Sequence, residues 1–212
     1  MASQSLDQFR VLLASVDQLI TIHGQLQTGR GRRHEQDALH RAGVVLTVAA
    51  WQAYVEKVSD EALSFVEELI VGPAGGAAPP AWARSGFYFR KSAVRKSIGD
   101  LNTPNSENVR KLLNWSFGFD PRPAWVWHSP MRRWTPTEFA TRTDAWLRIR
   151  HTIAHGFELP DNLPWIRGPN NNARLTLGLL RECRAHFNKL AQLTDEAFSA
   201  HLAAEHATPL PW

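Results

Sequence analysis

The chain has 212 residues, 43% hydrophobic and 21% charged, so it can bury a core and is not a disordered segment. One cysteine, Cys183, excludes a disulfide framework and any cysteine-built zinc site, and 24 Lys and Arg against 20 Asp and Glu give a net charge of +4, which permits a polyanionic partner without requiring one. No apolar run approaches the ~20 residues that span a bilayer, and no basic-then-apolar leader opens the chain, so the expected setting is a reducing cytoplasm with no membrane partner.

All 13 prolines lie at or beyond Pro73, which leaves the first 72 residues free to form long helices. Residues 5–27 read as an amphipathic helix on Leu6, Phe9, Leu12, Leu13, Val16, Leu19, Ile20 and Leu26, at spacings of three and four. The basic stretch Gly29, Arg30, Gly31, Arg32, Arg33 breaks it. A longer helix is predicted over about 35–70, with Leu39, Gly43, Leu46, Ala50, Tyr54, Val58, Ala62, Phe65 and Leu69 as its apolar stripe. A stripe of that length needs a long partner helix to cover it. Gly and Pro crowd residues 72–80, predicting a mobile loop over 72–83.

Residues 86–101 read as a shorter helix with a basic side formed by Arg90, Lys91, Arg95 and Lys96. Residues 103–107 form a turn that offers helix caps, and a short helix is predicted over 106–117. Residues 118–136 hold four prolines and three tryptophans and read as an irregular, packed loop. A helix follows over about 137–155, ended by Gly156; 157–172 is loop. A last helix, about 173–201, carries Leu175, Leu179, Cys183, His186, Phe187, Leu190 and Leu193 on one side. No strand alternation and no repeat is seen. The fold class is all-α: one domain over 1–212, a helical bundle with long antiparallel helices and irregular Pro/Trp-rich loops.

Several chemistries are missing. There is no P-loop, no dinucleotide fingerprint between a strand and a helix, and no Gly-x-Ser-x-Gly elbow. Cys183, mid-stripe, reads as a core residue. The nine tryptophans read as core and loop packing ahead of base stacking. One dense constellation remains: residues 148–156 read Arg-Ile-Arg-His-Thr-Ile-Ala-His-Gly.

Three readings of it compete. Cations at a helix C-terminus are favoured by the macrodipole, so it can be a plain solvated helix end. His151 and His155, at i and i+4, can share a metal ion, but no glutamate sits between them and no third ligand is local. The third is metal-free phosphodiester chemistry. A histidine moves protons near neutral pH, and an arginine holds the phosphate and the charge that builds on it. At 100° per residue Arg148, His151 and His155 share a face, whereas Arg150 lies about 140° from His155. Two such helices facing each other in a symmetric dimer would double the groups in one cleft.

The segment Arg150-His151-Thr152-Ile153-Ala154-His155-Gly156 resembles the Arg-x4-6-His signature of HEPN domains, and within them the RiboL-PSP-HEPN group. The stretches 38–46 and 53–56 resemble that group's long second helix, and Thr103-Pro104-Asn105-Ser106-Glu107-Asn108-Val109 with Leu112, Leu113 and Gly118 resembles its middle turn and helix. The likeness spans roughly residues 6–156.

The resemblance implies an all-α bundle that forms a homodimer through the helix carrying 148–156. The cleft between protomers would be a composite, metal-independent RNase site, with no cofactor. Carried over, Arg150 would bind and polarise the phosphate and His155 would transfer protons. His151, where the group usually has Asn, would support them, with Arg148 as a second phosphate ligand. Relatives carry an acid near the position of Trp51-Gln52, with Glu56 here one turn later. RNA is the implied substrate, leaving a 2′,3′-cyclic phosphate and a 5′-hydroxyl. A role as a toxin or antiviral RNase follows, beside a nucleotidyltransferase-type antitoxin or a larger defence effector. The alternative is a non-catalytic module that binds nucleic acid, nucleotide or a partner. Arg90, Lys91, Arg95 and Lys96 form the best group for guiding RNA; Arg30, Arg32, Arg33, Arg132 and Arg133 read mostly as solvated charge.

Overall fold

A computed structural model describes residues 2–25, 36–71, 80–128, 133–168 and 171–212. The basic break at 29–33, Arg132 and most of the loop expected over 72–83 lie outside the described residues. Helix α1 (Gln4–Gln25) buries Leu6, Phe9, Leu13 and Val16 and packs more extensively on α2 (Asp37–Val71) than any other pair of elements does. The two are antiparallel. Near the start of α1, the Ser5 backbone N–H donates to Glu61 at 3.0 Å and the Phe9 ring meets Tyr54 edge-on. At its end, His23 lies 5.0 Å from His40, centroid to centroid.

The predicted stripe of α2 is buried at Ala50, Tyr54, Val58 and Ala62, and the buried surface is wider than predicted. Leu46 and Leu69 of that stripe are 42% and 41% exposed, while Val44, Val48, Trp51 and Val55 outside it are buried. The reason is that α2 is covered by α1, by the last helix and by two of the helices between, so its buried arc is wider than one stripe. Gly43 marks the tightest approach: a Cβ there would stand 2.5 Å from Leu180 Cδ1.

Helix α3 (Ala81–Gly99) begins five residues before the predicted start and shortens the expected loop. Pro80, whose lack of an N–H costs nothing ahead of a helix, accepts from Ala83 and Arg84 through its carbonyl, and Gly86 falls inside the helix instead of opening it. Helix α4 (Ser106–Phe117) has the predicted bounds, with the Asn105 side chain capping the Asn108 N–H and Gly118 left-handed at φ 69°. The tryptophan-rich stretch after it departs from expectation. It holds a 3-10 turn at Arg122–Ala124 and two short antiparallel strands, β1 (Trp127–His128) and β2 (Arg133–Trp134), too brief to show alternation in sequence. Trp125 is fully buried and donates its indole N–H to Thr194 Oγ1 at 3.0 Å.

Helix α5 (Pro136–Ala154) is followed by an irregular return and α6 (Leu177–His206). The last helix starts four residues later and runs five residues further than predicted. Ala173 is instead bridged to Arg167, and Thr176 caps the Leu179 N–H. Cys183 is buried in α6 as expected, and burial pushes its thiol pKa up.

Trp51 lies at the centre of the core, stacked on Tyr54 and 6.1 Å from Phe187 of α6. Asp195 ties three segments: it accepts from the Ser3 N–H at 3.1 Å and the Tyr54 hydroxyl at 3.2 Å, and its carbonyl accepts from the Trp212 indole at 3.4 Å. No helix among the described residues is long and apolar enough to cross a membrane.

Candidate active site

The Arg/His segment sits where it does because of how α5 starts, packs and stops. Thr135 and Glu138 cap the N-terminus reciprocally, with Pro136 in the first turn. Phe139, Thr143, Trp146 and Ile149 then recur at spacings of four and three and are buried, which fixes the helix rotation. Thr143 Oγ1 meets His186 Nε2 of α6 at 2.8 Å, holding α5 from the side. At the far end Gly156 is left-handed at φ 70°. Its N–H donates to the Ile153 carbonyl at 3.3 Å and the Phe157 N–H to the Thr152 carbonyl at 2.8 Å, a Schellman stop that needs glycine for its positive φ.

That rotation turns His151 and His155 outward. Both are exposed, with ring centroids 4.3 Å apart; the helical pitch places i and i+4 together. His155 also stacks on Phe157 at 5.9 Å. Among the described residues no group of three His, Cys, Asp or Glu is placed to share a metal ion.

The two arginines part company. Arg148 is exposed and donates from Nη2 to Asn162 Oδ1 at 3.1 Å. With His151 it lines a cavity of about 680 Å³ whose polar wall includes Asn105, Asp144, Thr152 and Asn162. Arg150 lies half-buried towards the core side of α5, and its Nε is buried with no acceptor among the described residues. Within one chain, then, Arg148 and the histidines share one side, and Arg150 stands apart from His155 in the sense helical geometry predicts.

Asn162 and Asp144 are additions that sequence reading missed. Asn162 comes from the irregular return after α5, where no periodicity marks it. Asp144 accepts from the Ser106 N–H and hydroxyl, both at 2.7 Å, pinning the start of α4 to α5. The Trp51 indole fastens the same turn by donating to the Pro104 carbonyl at 2.9 Å. Gln52 donates to Glu56 and to the Leu101 carbonyl, each at 3.0 Å, so Gln52 ties α2 to the chain just before the turn and Glu56 holds its amide.

The basic group on α3 is partly engaged. Lys91 pairs with Glu67. The Arg90 guanidinium lies over the Trp115 ring at 4.0 Å, and Arg95 is 3.9 Å from Asp60. Lys96 is exposed.

The chain is thus an all-α bundle with a turn tied to its second helix and an Arg/His segment at the end of a later helix. The RiboL-PSP-HEPN family model matches residues 11–200, and the chain belongs to that family. Neither a curated protein nor a solved structure shows significant similarity to it. Family membership supports a nucleic-acid-related module.

Proposed function

We propose that this chain is a metal-independent endoribonuclease, acting in the cytoplasm as a toxin or antiviral-defence RNase, with its site formed where two copies of α5 meet. The observation that carries the reading is the exposed His151–His155 pair beside Arg148 and a polar cavity, in a chain of the RiboL-PSP-HEPN family. Histidines and a guanidinium are the groups that transesterification of RNA needs. Arg150 supports it too, since its buried Nε–H has a donor to give and an unmet buried donor favours an acceptor brought by a bound anion or a second subunit.

In the proposed reaction, His155 of one protomer removes the proton of the 2′-hydroxyl. The 2′-oxygen bonds to phosphorus, the bond from phosphorus to the 5′-oxygen breaks, and the same residue of the other protomer supplies the proton to that oxygen. Arg150 holds the phosphate while charge builds on its oxygens; His151 and Arg148 support the phosphate and flanking nucleotide. The products are a 2′,3′-cyclic phosphate and a 5′-hydroxyl. A nucleotidyltransferase-type antitoxin or a larger defence effector is the partner class this role calls for.

The test compares wild type with Arg150→Ala and His155→Ala for cleavage of a mixed-sequence RNA and for growth of expressing cells. Loss of cleavage in both variants with wild-type folding supports the proposal; equal cleavage by all three overturns it. A second reading, a module that binds RNA without cutting it, rests on Arg150 standing apart from His155 within one chain. Binding without turnover in the wild-type dimer would establish it.

A further inference from the structure

Helix α3 differs chemically from the rest of the chain. It carries Arg84, Arg90, Lys91, Arg95 and Lys96, five of the 24 Lys and Arg residues, and none of the 20 Asp and Glu, leaving 19 against 20 elsewhere. Its inner face is occupied, with Phe87, Val94 and Ile98 buried. Its outer face nonetheless presents large aromatic rings: Trp82 is 79% exposed, Phe89 80% and Tyr88 49%. Trp82, Phe89 and Lys96 succeed one another at intervals of seven. At 1.5 Å and 100° per residue they fall on one ridge, about 10 Å apart and within about 40° of one another. Rings this exposed mark a contact surface.

We propose that the outer face of α3 is a binding platform for single-stranded RNA, in which Trp82 and Phe89 stack on bases and Lys96, on the same ridge, meets a phosphate. Exposed aromatics interleaved with cations are what a flexible polyanion with π-faces requires. The charge argues for this occupant: a helix without a single acid repels other cations and attracts a polyanion. A lipid surface fits less well, because an interfacial helix needs a broad apolar face. Here that face lies in the core, and Ser85, Ser92 and Lys96 share the outer side with the two rings. The choice of RNA rests on the proposed ribonuclease reading, but the platform uses neither Arg150 nor His155.

The experiment uses the full chain and a fluorescein-labelled 12-nucleotide 2′-O-methyl RNA, which cannot be cut by its own 2′-oxygen, so binding is read without turnover. Anisotropy titrations compare wild type, Trp82→Ala/Phe89→Ala and Lys96→Gln. All three positions are exposed, and circular dichroism checks the fold. The aromatic variant is expected to lose at least about tenfold in affinity with an unchanged salt slope. The charge variant is expected to flatten the slope of log affinity against log salt by about 0.7, for one phosphate no longer neutralised. Unchanged affinity in the folded aromatic variant overturns the proposal. So does a loss confined to self-association in light scattering, or to binding of phosphatidylserine vesicles, with RNA binding intact. Because the probe is uncleavable, a failed nuclease assay leaves this result standing, and a failed titration leaves the nuclease assay standing.

Discussion

His186 should give this protein an acid-sensitive stability, because it holds the motif helix while buried and neutral. The ring is 1% exposed, lies 4.3 Å from Phe139 and bonds Thr143. Burial, and secondarily the Arg142 charge, push its pKa down to about 3. The unfolded chain's histidine titrates near 6.5, so the folded value is depressed. The stabilisation is therefore present above about pH 6.5 and is lost as pH falls towards 3. With those two values the loss between pH 7 and pH 5 is about 2 kcal/mol, and the full displacement is worth about 5 kcal/mol. Asp195 runs the other way: burial raises its pKa, so its contribution is present in acid and fades as pH rises through the folded value. It is common to wild type and variant and cancels in their difference. Urea unfolding at pH 7, 6 and 5 should show wild type losing about 2 kcal/mol more than His186→Gln, whose amide can still donate to the Thr143 hydroxyl oxygen and does not titrate. Equal losses in the two proteins would refute the reasoning.

Other outcomes follow from particular contacts. Asp144→Ala leaves the Ser106 N–H and hydroxyl without their partner and should cost about 2–3 kcal/mol, a fall of roughly 5–10 °C in Tm by calorimetry, with Asp144→Asn losing less. Gly156→Ala forces a side chain into φ 70° and should cost about 1–2 kcal/mol, while Gly156→Asn costs less; chemical denaturation reads the difference. In RNA cleavage, Arg148→Ala should lower the rate less than Arg150→Ala does; the reverse order would make Arg148 the principal phosphate ligand. Millimolar EDTA should leave the cleavage rate of the purified protein unchanged, and a chelator-sensitive rate restored by one added metal would point to metal chemistry instead.

The helices were legible where a local rule governs. The absence of proline before Pro73 and the three-four spacing located α1 and α2, and the capping turn at 103–107 located the start of α4. Misreadings came where local rules run out. Gly86 looked like a helix start but is tolerated inside α3, where an added Cβ meets nothing within 4 Å. Ala173 is apolar enough to extend α6, yet its backbone pairs with Arg167. Leu46 had the right spacing for the stripe, but which arc of α2 is buried depends on where the other helices lie.

The same division holds at the candidate site. Sequence alone determined that His151 and His155 share a face, because helical pitch sets that, and that α5 stops at Gly156, because a left-handed residue needs glycine. It also carried the family resemblance that residues 11–200 bear out. Only the tertiary structure decided that Arg148 turns to a polar cavity while Arg150 lies half under the helix. The deciding contacts are Asn162, from a return segment without periodicity, and the core that sets the rotation of α5 through Phe139, Thr143 and Trp146. It alone, too, left Trp82 and Phe89 in solvent. Composition counts a tryptophan but cannot say which side of a helix its neighbours cover.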